Sequence, residues 1–316
     1  MPDTVANQAV FPQQRGQKPG LGFPICRIVG ITCLASGALI NAAIGRFNGK
    51  GGDEQTLLRT IEDTFQPGEI VMGDAFFATY FFIARMQARG IDLLMEQQGA
   101  RKRSTDFRRG KKLGERDHLI VIHKPKLRPE WMSETQYQAA PDTLTIRELK
   151  AGGKIIVTTM TSPKRYPKER LKSLYQSRWH VELDIRHIKD TMGMNILSCK
   201  TPEMAIKEIW VYLLAYNLIR LMMAQSALLA DIKPRSISFK HCLQLWLIYM
   251  HHPQSLDDKK LAILFQMMAQ QRVGNRPGRV EPRAVKRRPK AFPLLTKSRP
   301  LAREQVREYG HPKKLK

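Results

Sequence analysis

Apolar and β-branched residues crowd two neighbouring segments, PICRIVGITCLAS and ALINAAIGRF, which part at Ser36-Gly37. That pattern predicts a hairpin inside a sheet. DEQTLLRTIEDTF carries helical spacing from Asp53-Glu54 to the stop at Pro67-Gly68. EIVMGD then reads as a short strand, AFFATYFFIARMQARG as an aromatic-rich helix closed by Gly90, and IDLLMEQ as the next strand. Strand, helix and strand so close together predict a βαβ unit within a mixed sheet. Three further strands follow, DHLIVIH, TLTIREL and KIIVTTM. Beyond them YQSRWHVELDIRHIK (Tyr175 to Lys189) has no Pro or Gly and predicts one helix, and helices are expected over 202–230, 237–250 and 256–270. The fold class is therefore α/β, divided as 1–98 for the first part of the core, 99–164 for a β-rich insertion, 165–270 for the helical remainder and 271–316 for a tail.

Charge sharpens this picture. With 53 Lys and Arg against 28 Asp and Glu, the 316-residue chain carries +25, which favours polyanions such as nucleic acid. The 42% hydrophobic content excludes a wholly disordered chain. Eleven Lys or Arg lie between Gly99 and Arg128, so the insertion is basic. The tail holds fifteen Lys or Arg and three Glu with six Pro, and is expected to be a flexible arm that touches DNA phosphates. A mere solubilising terminus is the other reading. Cys26, Cys33, Cys199 and Cys242 show no metal-finger spacing and suit free thiols. No basic n-region precedes an apolar run at the N-terminus, so no signal peptide is read there. Trp210 to Ala230 is long enough to cross a bilayer, but Asn217, Arg220 and Gln225 within it point to a buried helix.

Candidate chemistry gathers in the predicted helix after the insertion. Tyr175, Arg178, Glu182, Arg186 and Lys189 recur at helical offsets and would fall within roughly 80° of arc on one face. An ion-pair ladder of Arg178, Glu182 and Arg186 explains that spacing by itself. The pattern of Tyr, two residues, Arg, three residues, Glu, six residues, Lys also resembles the signature of DDE transposases of the insertion-sequence family numbered four. Asp74 ends the strand EIVMG and either caps the following helix or aims a carboxylate from a strand end. GDAFF around it resembles that family's second catalytic segment.

The resemblance implies an RNase H-like mixed sheet flanked by helices, with a β-rich insertion and a helical, basic C-terminal region. It implies metal-dependent cleavage and strand transfer at insertion-sequence ends, in which water attacks a phosphodiester and the freed 3′ hydroxyl attacks target DNA. Asp74 and Glu182 would be the catalytic metal ligands, for two Mg²⁺ ions or Mn²⁺ in their place. Tyr175, Arg178 and Lys189 would bind double-stranded DNA at the element ends. A homodimer in a synaptic complex, no membrane and a bacterial cytoplasmic location complete the expectation. Trp179 reads either as a base-stacking ring or as core, and a zinc site through His180 and His187 is not expected.

One departure separates this chain from the family pattern. The family's first catalytic Asp lies just before a Pro-Asp-Thr stretch, and this chain has Pro2-Asp3-Thr4 at its start. Asp3 therefore matches the non-catalytic position, and the first metal ligand is expected upstream. The alternative function is a truncated, catalytically inactive DNA-binding remnant. A basic RNA-binding protein is a third reading, without any RNP or KH signature to support it.

Overall fold

The computed structural model describes residues 1–49, 51–251, 257–274 and 296–311. Along them run α1 (Val5–Val10), β1 (Cys26–Thr32), β2 (Leu39–Arg46), α2 (Glu54–Arg59), β3 (Ile70–Gly73), α3 (Tyr80–Ala88) and β4 (Asp92–Glu96). The next stretch holds α4 (Gly99–Ser104), β5 (Lys111–Gly114), β6 (Asp117–His123), α5 (Glu134–Ala139), β7 (Thr143–Ala151) and β8 (Lys154–Thr158). Then come α6 (Lys168–Gln176), α7 (Trp179–Arg186), α8 (Pro202–Leu229), α9 (Phe239–Met250), α10 (Asp258–Gln270) and α11 (Arg299–Tyr309). They divide into two compact units, Leu58–Leu183 and a second formed by Met1–Leu57 with Asp184–Lys316.

The unit Leu58–Leu183 is built on a mixed six-stranded sheet in the order β3-β4-β8-β7-β6-β5. β3 and β4 are parallel and all other neighbours antiparallel. The βαβ unit is present, with α3 as its crossover. Tyr80, Phe81, Phe82, Ile83, Ala84 and Met86 of that helix are all buried, as an all-round apolar helix must be. The basic insertion does not form a layer of its own. Its strand β8 pairs with β4 (Leu94↔Thr158, Met95↔Val157), because the apolar run Ile155–Val157 finds burial on both faces only beside an equally apolar strand. β6 and β7 are pinned in register by buried polar pairs. Arg147 donates to both carboxylate oxygens of Asp117, at 2.7 and 2.6 Å, and His118 lies directly opposite Glu148. A one-residue slip would bury those charges unpaired.

In the other unit β1 and β2 pair antiparallel as a two-stranded sheet of their own, not as members of a larger one. Their turn includes Gly37 at φ 82°, where a Cβ would meet the Arg220 guanidinium at 2.8 Å. Asn217 of α8 clips this hairpin by donating to the Leu39 carbonyl and accepting from its N–H, each at 2.8 Å. α8 packs with α9 and α10 through a core that includes Ile209, Leu213, Tyr216, Ile219, Phe239 and Leu264. Contrary to expectation α8 is buried on one face only. Within the expected flexible tail, α11 forms and Arg299 donates to Asp3 at 2.7 Å. The basic run RPGRVEPRAVKRRPK lies outside the described residues.

Candidate active site

Asp74 follows the last residue of β3 and is exposed. It does not cap the helix, because α3 starts six residues later with Thr79 as its N-cap. Instead its Oδ1 accepts from the Phe76 N–H at 2.9 Å, a local turn that fixes the carboxylate just beyond the strand. The parallel register ends on Gly73↔Met95, and Asp74 and Glu96 are the residues that follow those two at the carboxyl ends of β3 and β4. Ligand sites in open α/β sheets collect at that edge.

From Glu96 a line of polar contacts leads to the signature residues. Glu96 accepts from Lys154 at 2.7 Å and from Lys102 at 3.2 Å. Burial disfavours its charged form, but those two cations outweigh it and hold its carboxyl below the ordinary range. The Lys154 ammonium lies 5.9 Å from the centre of the Tyr175 ring, and the Arg178 guanidinium lies 5.8 Å from the same centre. Arg178 in turn donates to Glu182 Oε1 at 2.9 Å. Tyr175, Arg178 and Glu182 are thus brought together within one unit.

The single helix expected from Tyr175 to Lys189 is broken. α6 ends at Gln176 with Ser177 as its C-cap, and the Arg178 N–H turns back to the Tyr175 carbonyl at 3.1 Å before α7 begins. The five side chains therefore do not form one exposed row. Tyr175 belongs to the core with Leu94, Leu149, Ile156, Met160 and Leu171. Burial pushes its phenol pKa up, and among the described residues its hydroxyl makes no well-formed hydrogen bond. Trp179 is exposed, which removes the core reading of that ring.

Past Leu183 the same run of chain enters the other unit. There Asp184 is buried and accepts from Arg220 Nη2 at 2.5 Å and from Arg235 Nη1 and Nη2 at 2.6 and 2.8 Å. His187 stacks on Phe239 with ring centres 4.6 Å apart. Burial first, then the positive charge of Arg220, depresses its pKa to about 4. His187–Thr191 form a π-helical turn, on which Lys189 is exposed. Asp3 is held by Gln8 and Arg299, each at 2.7 Å.

Glu96, Lys154 and Asp184 escaped the sequence reading. EIVMGD and IDLLMEQ each run an apolar strand into a carboxylate, and two parallel strands so ended would have set Asp74 and Glu96 at the same edge of the sheet. No local signal marks Lys154 or Asp184, whose partners are remote in sequence.

Asp74 and Glu182 each engage one carboxylate oxygen and keep the other open among the described residues. Such hard oxygen donors fit Mg²⁺, which takes one or two carboxylates and completes its shell with water and phosphate. Among the described residues no three His, Cys, Asp or Glu side chains cluster as a metal cage.

Comparison with known proteins bears on this geometry. The family described as transposase DDE domain matches residues 8–218. The transposase InsG of insertion sequence element IS4, from Escherichia coli (strain K12), is 28% identical over 307 residues, covering 94% of this chain and 67% of InsG. The transposase of insertion sequence element IS421, from Escherichia coli, is 32% identical over 88 residues, 28% of this chain and 23% of that protein.

Proposed function

The chain belongs to the transposase DDE domain family and is a DNA transposase by that membership, and from this premise we propose that Asp74 and Glu182 are its metal-binding carboxylates in cleavage and strand transfer at element ends. Enzymes of this family work with divalent metal ions, and Mg²⁺ is the ion the two oxygen donors suit best. When bound, a metal pair supplies Lewis-acid stabilisation of the attacking and leaving oxygens of the phosphodiester. The observation that carries the reading is the path of contacts from the end of β4 through Glu96, Lys154, the Tyr175 ring and Arg178 to Glu182.

Each residue then has a distinct task. Asp74 is aimed by the Phe76 N–H, and Arg178 holds one oxygen of Glu182 so that the other faces outward. Arg178 and the exposed Lys189 contact phosphates of the element-end duplex. Tyr175, buried, acts from behind Arg178 by bracing its guanidinium across the ring. We further read the parallel β3/β4 pair and the helix after the insertion as parts of an RNase H-like core.

The test combines metal binding with DNA chemistry. Mn²⁺ binding followed by electron paramagnetic resonance should weaken at least tenfold in Asp74→Ala and in Glu182→Ala. Both variants should abolish Mg²⁺-dependent cutting of element-end DNA and retain salt-sensitive binding. Unchanged Mn²⁺ affinity in both would overturn the assignment. Membership of the transposase family does not favour the inactive DNA-binding alternative.

A further inference from the structure

Strand pairing and one carboxylate bring two lysines of the basic insertion to the same point. β8 runs antiparallel to β4 with Ile156 opposite Glu96, and the Gln97 N–H donates to the Ile155 carbonyl at 2.8 Å, so the start of β8 lies at the carboxyl end of β4. Lys154 is the first residue of β8 and pairs with Ala151 across the turn Gly152-Gly153. Gly152 has φ 61°, which tight hairpin turns require at their first central position. Lys102 reaches the same carboxylate from α4, the short helix that follows β4.

Charge is not balanced at that point. Lys154 donates to Glu96 Oε2 at 2.7 Å and Lys102 to Oε1 at 3.2 Å. One lysine would neutralise the carboxylate, and the second leaves an excess of one positive charge. The Glu96 side chain is only 17% exposed, whereas those of Lys102 and Lys154 are 39% and 47% exposed, so the ammonium groups face water from above a sheltered carboxylate. Each ammonium has three N–H donors, and among the described residues each donates to Glu96 alone. The hydrogen bond to Glu96 raises the Lys154 pKa above its ordinary value, which keeps that cation charged. Both oxygens of Glu96 are engaged by cations, which excludes it as a further metal ligand.

We propose that Glu96 gathers Lys102 and Lys154 into a binding site for one backbone phosphate of the element-end DNA. The two ammonium groups touch the substrate, and Glu96 is the positioning residue that holds them together. A phosphodiester brings one negative charge and two non-bridging oxygens, which match the excess of one charge and the two donors. A pair that merely closed the strand end would need one lysine, and an exposed ion pair of that kind contributes little to stability. The inference rests on DNA as the substrate and is independent of the metal-site assignment.

Binding of element-end duplex by the full chain, titrated across salt concentrations, tests this. Lys102→Gln/Lys154→Gln keeps an amide donor for each Glu96 oxygen and removes both ammonium charges. It should weaken binding roughly tenfold and lower the slope of log K against log salt by about 1–2, with thermal unfolding and Mn²⁺ binding as in wild type. Lys102→Arg/Lys154→Arg, which keeps both charges, should keep the slope. Uncharged methylphosphonate links, placed one at a time along the duplex, locate the phosphate. At one link, or two adjacent ones, the change should weaken wild-type binding and leave binding by the Gln variant as it is on unmodified DNA. An unchanged slope in the Gln variant would overturn the proposal, as would equal weakening of both proteins at every link. Loss of Mn²⁺ binding in that variant would overturn it too, since the lysines would then act through the metal carboxylates. A wild-type chain without salt-sensitive DNA binding would overturn the DNA reading and this site with it.

Discussion

Replacing Asp184 by Ala removes the carboxylate that joins the Arg220 and Arg235 guanidinium groups. Asp184 is 1% exposed, and Arg220 is 3% exposed, so neither charge has water to fall back on. Breaking a buried pair by deleting one partner costs about 3–5 kcal/mol, because the surviving charge stays buried and uncompensated. Here two cations survive. Each keeps other partners: Arg220 donates to the Tyr216 hydroxyl at 2.9 Å, and Arg235 to the Leu34 carbonyl at 2.9 Å. Those bonds satisfy donors without neutralising charge, so the middle of the range, about 4 kcal/mol, is the expected loss. For a unit of this size that is a fall of roughly 8–16 °C in melting temperature. Urea unfolding, followed by Trp fluorescence and by calorimetry, measures it. Asp190→Ala, at an exposed position on the same run of chain, serves as control and should stay within about 0.5 kcal/mol of wild type. A loss below about 1 kcal/mol for Asp184→Ala would refute the reasoning, since it would mean that the two arginines do not depend on that carboxylate.

Three further outcomes are expected. His187 has its folded pKa depressed from 6.5 to about 4, so its contribution to stability is present above pH 6.5 and is lost as pH falls toward 4. The full shift corresponds to at most ~3 kcal/mol, and screening at this partly exposed ring lowers it to about 1–2 kcal/mol; urea midpoints from pH 7 to 4.5 should flatten in His187→Gln. DNA affinity should drop steeply with salt, and Lys286→Gln, Arg287→Gln, Arg288→Gln and Lys290→Gln together should lower the slope of log K against log salt by about 2–4; an unchanged slope would show that this basic run touches no phosphate. Tyr175→Phe should leave stability equal or up to ~1 kcal/mol higher, because the lost hydroxyl is buried without a well-formed bond, and a loss above 1 kcal/mol would reveal a partner for it.

Strand identity along the core was readable from local composition. EIVMG, IDLLME, DHLIVIH, TLTIREL and KIIVT are each apolar enough to demand burial, and each is a strand. Their partners were not readable. That β8 closes on β4, and that β1 and β2 pair with each other alone, depend on edge availability, which no window of residues encodes. The break between α6 and α7 was missed for a similar reason: Ser177-Arg178 carries no breaker residue, and the interruption follows from tertiary demands on Tyr175, drawn into the core, and on Glu182, left partly open. The outer face of α8 was misread because a helix apolar on both sides looks buried whatever covers it. At the site, Asp74, Arg178 and Glu182 were singled out by the family resemblance, since their spacing alone reads equally as a helix cap and an ion-pair ladder, whereas Glu96 and Lys154 became visible only through strand pairing and tertiary contacts.

The π-helical turn at His187–Thr191 also bears on how such chains can change by insertion and deletion. Its widened loop is closed by the Met192 N–H reaching back five residues to the His187 carbonyl, at 3.0 Å. A turn of this kind is a helix that has absorbed one extra residue without disturbing the turns before it. Of the six residues between Glu182 and Lys189, the first four lie in α7 and the last two, His187 and Ile188, are on the expanded spiral. A lineage that lost any one of residues 187–191 would regain ordinary helical bonding, and would swing everything after the deletion by about 100°. Single-residue gaps at His187 or Ile188 would thus be tolerated by the fold and penalised through the direction in which Lys189 points.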